Sequence, residues 1–451
     1  MQTYDVIIIG GGPSGIIAGV TGKKQNPDKS FLMIKEEAKG LVPCGIPYIF
    51  YALGDVTKNM MGPKPFIDAG GEVYVDQVVD IDLESRTVIT CDHSRFGFKK
   101  LVFATGSTPV VPSFIPGYDL EGVEYIIKSY DYIEALKAKT DLAKNIVVIG
   151  GGFIGVEVAE QLAQHKDKKV SLVEMEALCL SRAFSPDVAL RADAAIKETG
   201  IQLYTSNRVS EILGENDKVT GVKLQDGTVI EAELVIASIG YRPNTGLAKN
   251  LGLQINKNHA IVVDRYMRTA VPDVFAIGDC SQTTGFITGR TDNIMLASTA
   301  TAEARVLGYN LFNIKLLRNF TGTLSVFSTK INGVSFASAG AIEQTAQEAN
   351  ISYIVGKFED VDRHPATLPD TSKMMVKLVV SPQTSTIIGG EIIGGDSTGE
   401  LINLIALAIQ KYVTVYELLS FQVGTHPLLT TAPTKYVLIK AAENAVAQLH
   451  K

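Results

Sequence analysis

The chain is poor in cysteine, with four in 451 residues (Cys44, Cys91, Cys179 and Cys280), all far apart. None belongs to a C-x-x-C pair or a Cys/His cluster at ligand spacing, which argues against a disulfide framework and predicts no metal site. Long apolar runs are lacking as well. No stretch approaches the roughly 18 residues a membrane span needs, and the amino terminus, MQTYDVIIIGGG, has neither a basic leader nor a cleavage site. The expectation is a soluble, cytoplasmic protein with no membrane partner. A basic stripe is also missing: the net charge is -6, with acidic and basic residues mixed along the length. Nothing in that pattern suits a nucleic-acid backbone, so small-molecule partners are favoured. With 451 residues and about 150 per domain, three domains fit, and a core of that size needs no covalent staples.

What the chain has in abundance is glycine, placed in a pattern that occurs twice. VIIIGGGPSG at 6–15 returns as VVIGGGFIGVE from 147, with the first glycines, Gly10 and Gly150, 140 residues apart. Each copy is a β-branched run, a G-x-G-x-x-G loop, a helical pattern and a further strand (FLMI at 31–34, VSLVE at 170–174), which is a βαβ unit. Gly10 and Gly150 permit the tight turn. Gly12 and Gly152 let a pyrophosphate approach the backbone, and Gly15 and Gly155 allow helix and strand to pack closely. The helix N-terminus then holds the anion.

An acidic residue about 20 positions further on should accept from a ribose hydroxyl. In the second unit it is Glu174; with Glu176 beside it and no basic residue before Arg182, a 2′-phosphate would meet negative charge, so NADH is favoured over NADPH. In the first unit the place reads IKEE, leaving Lys35 and Glu36 as alternatives. LVFATGSTP (101–109), LVIASIGYRPNT (234–245) and VFAIGDC (274–280) read as further strands ending at glycine, where open parallel sheets bind ligands. From about 322 the pattern changes to the alternation of antiparallel strands, followed by helical ELINLIALAIQ, which marks a separate α+β domain.

Together these residues resemble the FAD-dependent pyridine nucleotide-disulfide oxidoreductases over essentially the whole chain. The resemblance implies an α/β protein with two Rossmann-like dinucleotide-binding domains and a C-terminal α+β dimerisation domain. The expected boundaries are 1–113 plus 240–321 for FAD, 114–239 for NAD(P)H and 322–451 for dimerisation. It assigns Gly10, Gly12, Pro13, Ser14, Gly15, Lys35, Glu36, Thr105, Gly106, Gly278 and Asp279 to FAD. To the nicotinamide nucleotide it assigns Gly150, Gly152, Phe153, Ile154, Gly155, Glu174 and Gly240, with Glu157 near the nicotinamide. It also implies a homodimer, or a dimer of dimers, with active sites shared between subunits.

Cys44 lies in LVPCGIPY, and the positions five away are Lys39 and Ile49, so the Cys-x4-Cys pair of the two-cysteine reductases is absent. The setting resembles the single-cysteine branch, closest to the persulfide and coenzyme A-disulfide reductases. There Cys44 is a thiol against the flavin, near the start of a segment that favours an anion, and such thiols have pKa values of about 3.5 to 7.5. Cys91 and Cys179 read as surface or core, and Cys280 as packing. Pro13 stands where NADH peroxidases have a histidine, which disfavours peroxide chemistry; Phe153-Ile154 matches the G-F-I-G of coenzyme A-disulfide reductases. The tyrosines that those reductases take from the partner's C-terminal domain are not evident. His426 and His364 are the alternatives for proton transfer, with Thr430 and Thr431 where a glutamate usually supports such a histidine. Lys23, Lys24 and Lys64 are candidates for coenzyme A phosphates. The resulting expectation is an NADH-dependent flavoprotein that reduces low-molecular-weight persulfides or disulfides, those of coenzyme A foremost, with an O2-reducing NADH oxidase as the alternative and a flavin-bound redox sensor or scaffold as the minor one. No further sulfurtransferase-like segment is visible, so any sulfane carrier is expected to arrive from solution.

Overall fold

The computed structural model describes residues 1–292, 294–317 and 320–450. The apolar run before the first glycine loop closes strand Gln2–Ile9, whose last four residues are buried, as suits a strand covered on both faces. It pairs in parallel with Phe31–Lys35 on one side and Arg95–Phe103 on the other, and Glu72–Val75 joins beyond Phe31–Lys35. The far edge of Arg95–Phe103 is shared. Thr87–Thr90 pairs antiparallel at its start, and Val274–Ala276, which arrives from much later in the chain, pairs parallel at its end. Helix Pro13–Gln25 packs against helix Ala297–Asn310 on one face of this sheet.

The second glycine unit builds its own parallel sheet, in the order Val123–Tyr125, Leu234–Ala237, Asn145–Ile149, Lys169–Val173 and Gln202–Tyr204. The repetition extends to single hydrogen bonds: Gly10 N donates to Ile34 O and Gly150 N to Val173 O, both at 2.8 Å. The chain passes between the two sheets through an antiparallel ribbon, Ser107–Pro109 against Tyr241–Pro243. A three-stranded antiparallel meander, Val209–Glu215, Lys218–Leu224 and Val229–Glu231, flanks the second sheet.

The C-terminal part is a five-stranded antiparallel sheet in the order Phe327–Ile331, Val334–Gly340, Ile387–Gly394, Lys373–Val380 and Ile354–Val361. The fold is thus two Rossmann-like α/β units and an α+β unit. Strand Ile387–Gly394 is buried at every position. Helix Thr398–Gln410 covers one side. On the other, Glu391 accepts from Ser185 N (2.7 Å) and Ser185 Oγ (2.6 Å), at the start of helix Pro186–Glu198 in the second dinucleotide unit. Among the described residues no helix is long and apolar enough to cross a membrane, and no cluster of three or more His, Cys, Asp or Glu could hold a metal ion.

Candidate active site

Both glycine loops are shaped for a ligand. Gly10 and Gly150 have φ of 115° and 108°, and a Cβ on them would fall 2.1 Å from Ala104 O and 2.4 Å from Ser238 O. Only glycine fits there. Gly12 and Gly152 cap helices Pro13–Gln25 and Phe153–Ala163, and a Cβ on either meets no atom within 4 Å. A side chain would enter the space in front of the helix N-terminus, which is where a pyrophosphate belongs. The residues present therefore fit a dinucleotide at each loop.

The two strand ends differ. In the second unit Glu174 Oε2 accepts from Gly151 N (2.6 Å) and Oε1 from Glu176 N (2.7 Å), which aims the carboxylate under the loop. In the first unit Lys35 takes the corresponding place: it is buried beneath Gly11, its Nζ donates to Ala38 O at 3.3 Å, and burial lowers its pKa. Glu36 points to solvent. The acidic partner expected of such a unit is replaced here by an ammonium group.

Where the ends of the first sheet meet the ribbon, Asp279 Oδ2 accepts from Ser107 Oγ at 2.7 Å and from Lys128 Nζ at 3.0 Å. Lys128 also donates to Ser107 Oγ (2.9 Å) and lies 4.9 Å from the centre of the Tyr241 ring. Thr105 Oγ1 donates to Asn244 O at 2.6 Å, and the backbone N–H of Asn244 returns to Gly106 O. Val110 N donates to Gly240 O. Gly278 packs on buried Ser14, and its N–H donates to Glu303 at 2.8 Å; burial pushes Glu303 up to about 8.

Cys44 occupies a single 3-10 turn, Pro43–Gly45, and is exposed, as is Cys91; Cys179 and Cys280 are buried. Although the sulfur reaches solvent, protein surrounds most of it, and this burial pushes its thiol pKa up. Glu157 and Asp279 push the same way, and Lys128 opposes them. This corrects the expectation of a lowered thiol: one short turn supplies little dipole, and carboxylates outnumber the cation. Tyr48, one turn further on, is raised by burial, Glu157, Glu160 and Cys44. Glu157 is pushed up to about 7 by burial, although Thr329 Oγ1 donates to its Oε1 at 2.8 Å. Phe153 stacks on Phe327 at 5.1 Å and packs edge-on against Phe184 at 6.0 Å, while Ile154 is half-buried on the same helix.

The structure thus gathers Cys44, Glu157 and Asp279 at one place. The residues that sequence reasoning missed there are Lys128, Tyr48 and Thr329. Tyr48 had a signal, four positions after Cys44; the other two lie in no motif. His364 and His426 come together elsewhere, in two loops of the C-terminal unit: His364 Nδ1 lies 3.1 Å from Thr430 O, and His426 N donates to Thr430 Oγ1 at 3.0 Å. Neither is among the groups acting on Cys44 of the same chain. Lys23 is engaged by Pro27 O (3.0 Å) and Lys29 O (2.7 Å), Lys64 pairs with Asp68 at 2.8 Å, and Lys24 is exposed.

Residues 4–304 match the family model described as pyridine nucleotide-disulphide oxidoreductase, and 326–437 match its dimerisation domain. The chain belongs to the pyridine nucleotide-disulphide oxidoreductase family. That family implies FAD and NAD(P)H. Among curated relatives, an NADH oxidase of Methanocaldococcus jannaschii is 29% identical over 454 residues, covering 98% of this chain and 99% of that protein. An NAD(P)H coenzyme A polysulfide/persulfide reductase of Pyrococcus horikoshii is 30% identical over 420 residues, covering 91% and 92%. Among solved structures, an NAD-dependent persulfide reductase from A. fulgidus superposes with a TM-score of 0.89 at 28% identity, over 99% of this chain and 83% of that one.

Proposed function

We propose that this oxidoreductase uses NADH to reduce low-molecular-weight persulfides or disulfides, those of coenzyme A foremost, through Cys44. The observation that carries the reading is a solitary exposed thiol beside the Lys128, Asp279 and Glu157 groups, where both dinucleotide units converge. Gly12 and Gly152 would admit the pyrophosphates of FAD and NADH at the two helix ends, and Glu174, with Glu176 beside it, suits a ribose without a 2′-phosphate. Bound flavin would supply the two-electron relay between nicotinamide and sulfur. Cys44 Sγ, as thiolate, attacks R–S–S–R′, forms a mixed disulfide and releases R′–S⁻, which takes a proton. Two electrons from NADH then free R–S⁻, so that R–S–S–R′ + NADH + H⁺ gives R–SH, R′–SH and NAD⁺. A raised thiol pKa makes the attacking sulfur a stronger nucleophile but leaves less of it ionised; Lys128 offsets part of that loss.

The dimerisation domain supports a homodimer in which the His364 and His426 loops approach the partner's site, and the exposed Tyr412, Tyr416, Leu419 and Phe421 offer an apolar face for it. Of the candidate lysines for coenzyme A phosphates, Lys23 and Lys64 are engaged within the chain and Lys24 is exposed. A free thiol in this role suits the reducing cytoplasm. The second reading, an NADH oxidase, is supported by relatives of that name at similar identity. Anaerobic NADH consumption with coenzyme A persulfide, coenzyme A disulfide and peroxide, set against the aerobic rate without them, separates the two. Turnover with O2 alone, unchanged by every sulfur acceptor, would reject the sulfur reading.

A further inference from the structure

The C-terminal sheet reaches helix Phe153–Ala163 through strand Phe327–Ile331. On that helix Phe153 and Glu157 are four residues apart and share a face, spaced about 6 Å along the axis. On the strand Phe327 and Thr329 are two apart and share a face at about 7 Å. The spacings match and both pairs meet: the rings stack at 14° with centroids 5.1 Å apart, and the Thr329 hydroxyl donates to Glu157 Oε1 at 2.8 Å. Thr329 is buried, and among the described residues no other side chain hydrogen-bonds that carboxyl.

We propose that Thr329 is a positioning residue that fixes the Glu157 carboxyl, so that the C-terminal domain of the same chain sets orientation and charge on the nicotinamide side of the redox centre. The inference rests on the dinucleotide reading of Glu157 and is independent of which acceptor is reduced. Glu157 is faced by Glu160 on its own helix and by Cys44 and Tyr48 from residues 43–50. Lys330, next to Thr329, turns away to pair with Asp396. Burial raises Glu157 to about 7, Glu160 raises it further, and the Thr329 hydroxyl lowers it. Near neutrality the carboxyl is therefore divided between its two forms. Its ionised form disfavours the Cys44 thiolate. Removing the hydroxyl keeps Glu157 protonated to higher pH, so Cys44 should ionise more easily around pH 7.

The test is the rate of Cys44 alkylation by iodoacetamide against pH, on the FAD-bound protein. The wild type should show an inflection near neutrality besides that of the thiol, and Glu157→Gln should abolish it. Thr329→Val should move it up by about 1 to 2 pH units, the size of one hydrogen bond to a carboxylate, and Thr329→Ser should restore it. Thr329→Ala serves as a second deletion of the hydroxyl if the valine packs badly. Anaerobic reduction of the bound flavin by NADH, with no sulfur acceptor present, should shift with pH in the same direction. Superimposable profiles for wild type, Thr329→Val and Thr329→Ala would overturn the proposal, as would equal shifts in the serine and valine variants. A wild type that reduces no sulfur compound would sink the substrate reading, and these profiles would still decide the role of Thr329.

Discussion

Replacing Glu391 by alanine is expected to loosen the second dinucleotide unit from the C-terminal sheet. The carboxylate is fully buried, accepts from both the N–H and the hydroxyl of Ser185, and lies 3.3 Å from Lys377 Nζ. Lys377 also meets Asp187 and Glu343, and these carboxylates keep it protonated despite its burial. Truncation leaves two donors of Ser185 without acceptors and removes one of the three charges that neutralise the lysine. Breaking one side of a buried ion pair costs about 3 to 5 kcal/mol. Because Lys377 keeps two partners, the lower end, about 3 kcal/mol, is expected, and about 1 to 2 kcal/mol for Glu391→Gln, which still offers Ser185 an acceptor. The chain has no tryptophan, so guanidinium unfolding of the FAD-bound protein is followed by flavin fluorescence and far-UV circular dichroism. Phe184 precedes Ser185 and packs edge-on against Phe153, so the KM for NADH should rise more than kcat falls. An unfolding midpoint and a KM both equal to wild type would refute the reasoning.

Three further outcomes are expected. Glu303 has its pKa raised from 4.5 to about 8, so the native state holds a proton that the unfolded chain has released; stability should fall as pH rises between those values, and Glu303→Gln should remove up to roughly 3 to 5 kcal/mol of that dependence, read as unfolding midpoints at pH 5.5 and 8.5. Lys128→Met removes the cation that lowers the Cys44 thiol, and iodoacetamide titration should find that thiol up to about 1 unit higher; an unchanged titration would contradict the electrostatic account. Glu176→Arg should improve kcat/KM for NADPH relative to NADH by about tenfold, or about 1.4 kcal/mol, whereas an unchanged ratio would detach Glu176 from ribose recognition.

The parts legible in sequence are those written in short-range pattern. The two glycine loops and their following strands each fit within about 30 residues, a span in which βαβ periodicity can be read directly. The alternation after residue 322 likewise marks the antiparallel sheet. The meander at 209–231 and strand Ile354–Val361 lack such punctuation. At the site, Cys44 and Asp279 sit in recognisable settings, but Lys128 meets Asp279 across 151 residues of chain and Thr329 meets Glu157 across 172. Such contacts follow from how domains dock, which no local window contains. The direction of the Cys44 shift is hidden from the sequence for the same reason: its turn is local, while the packing that buries the thiol and the carboxylates that oppose its ionisation come from distant segments.

The most direct test of the account is Cys44→Ser, compared with wild type for anaerobic NADH oxidation driven by coenzyme A persulfide. The account expects a yellow protein that retains FAD and is still reduced by NADH, with sulfide release lost. Sulfide release at the wild-type rate would contradict it.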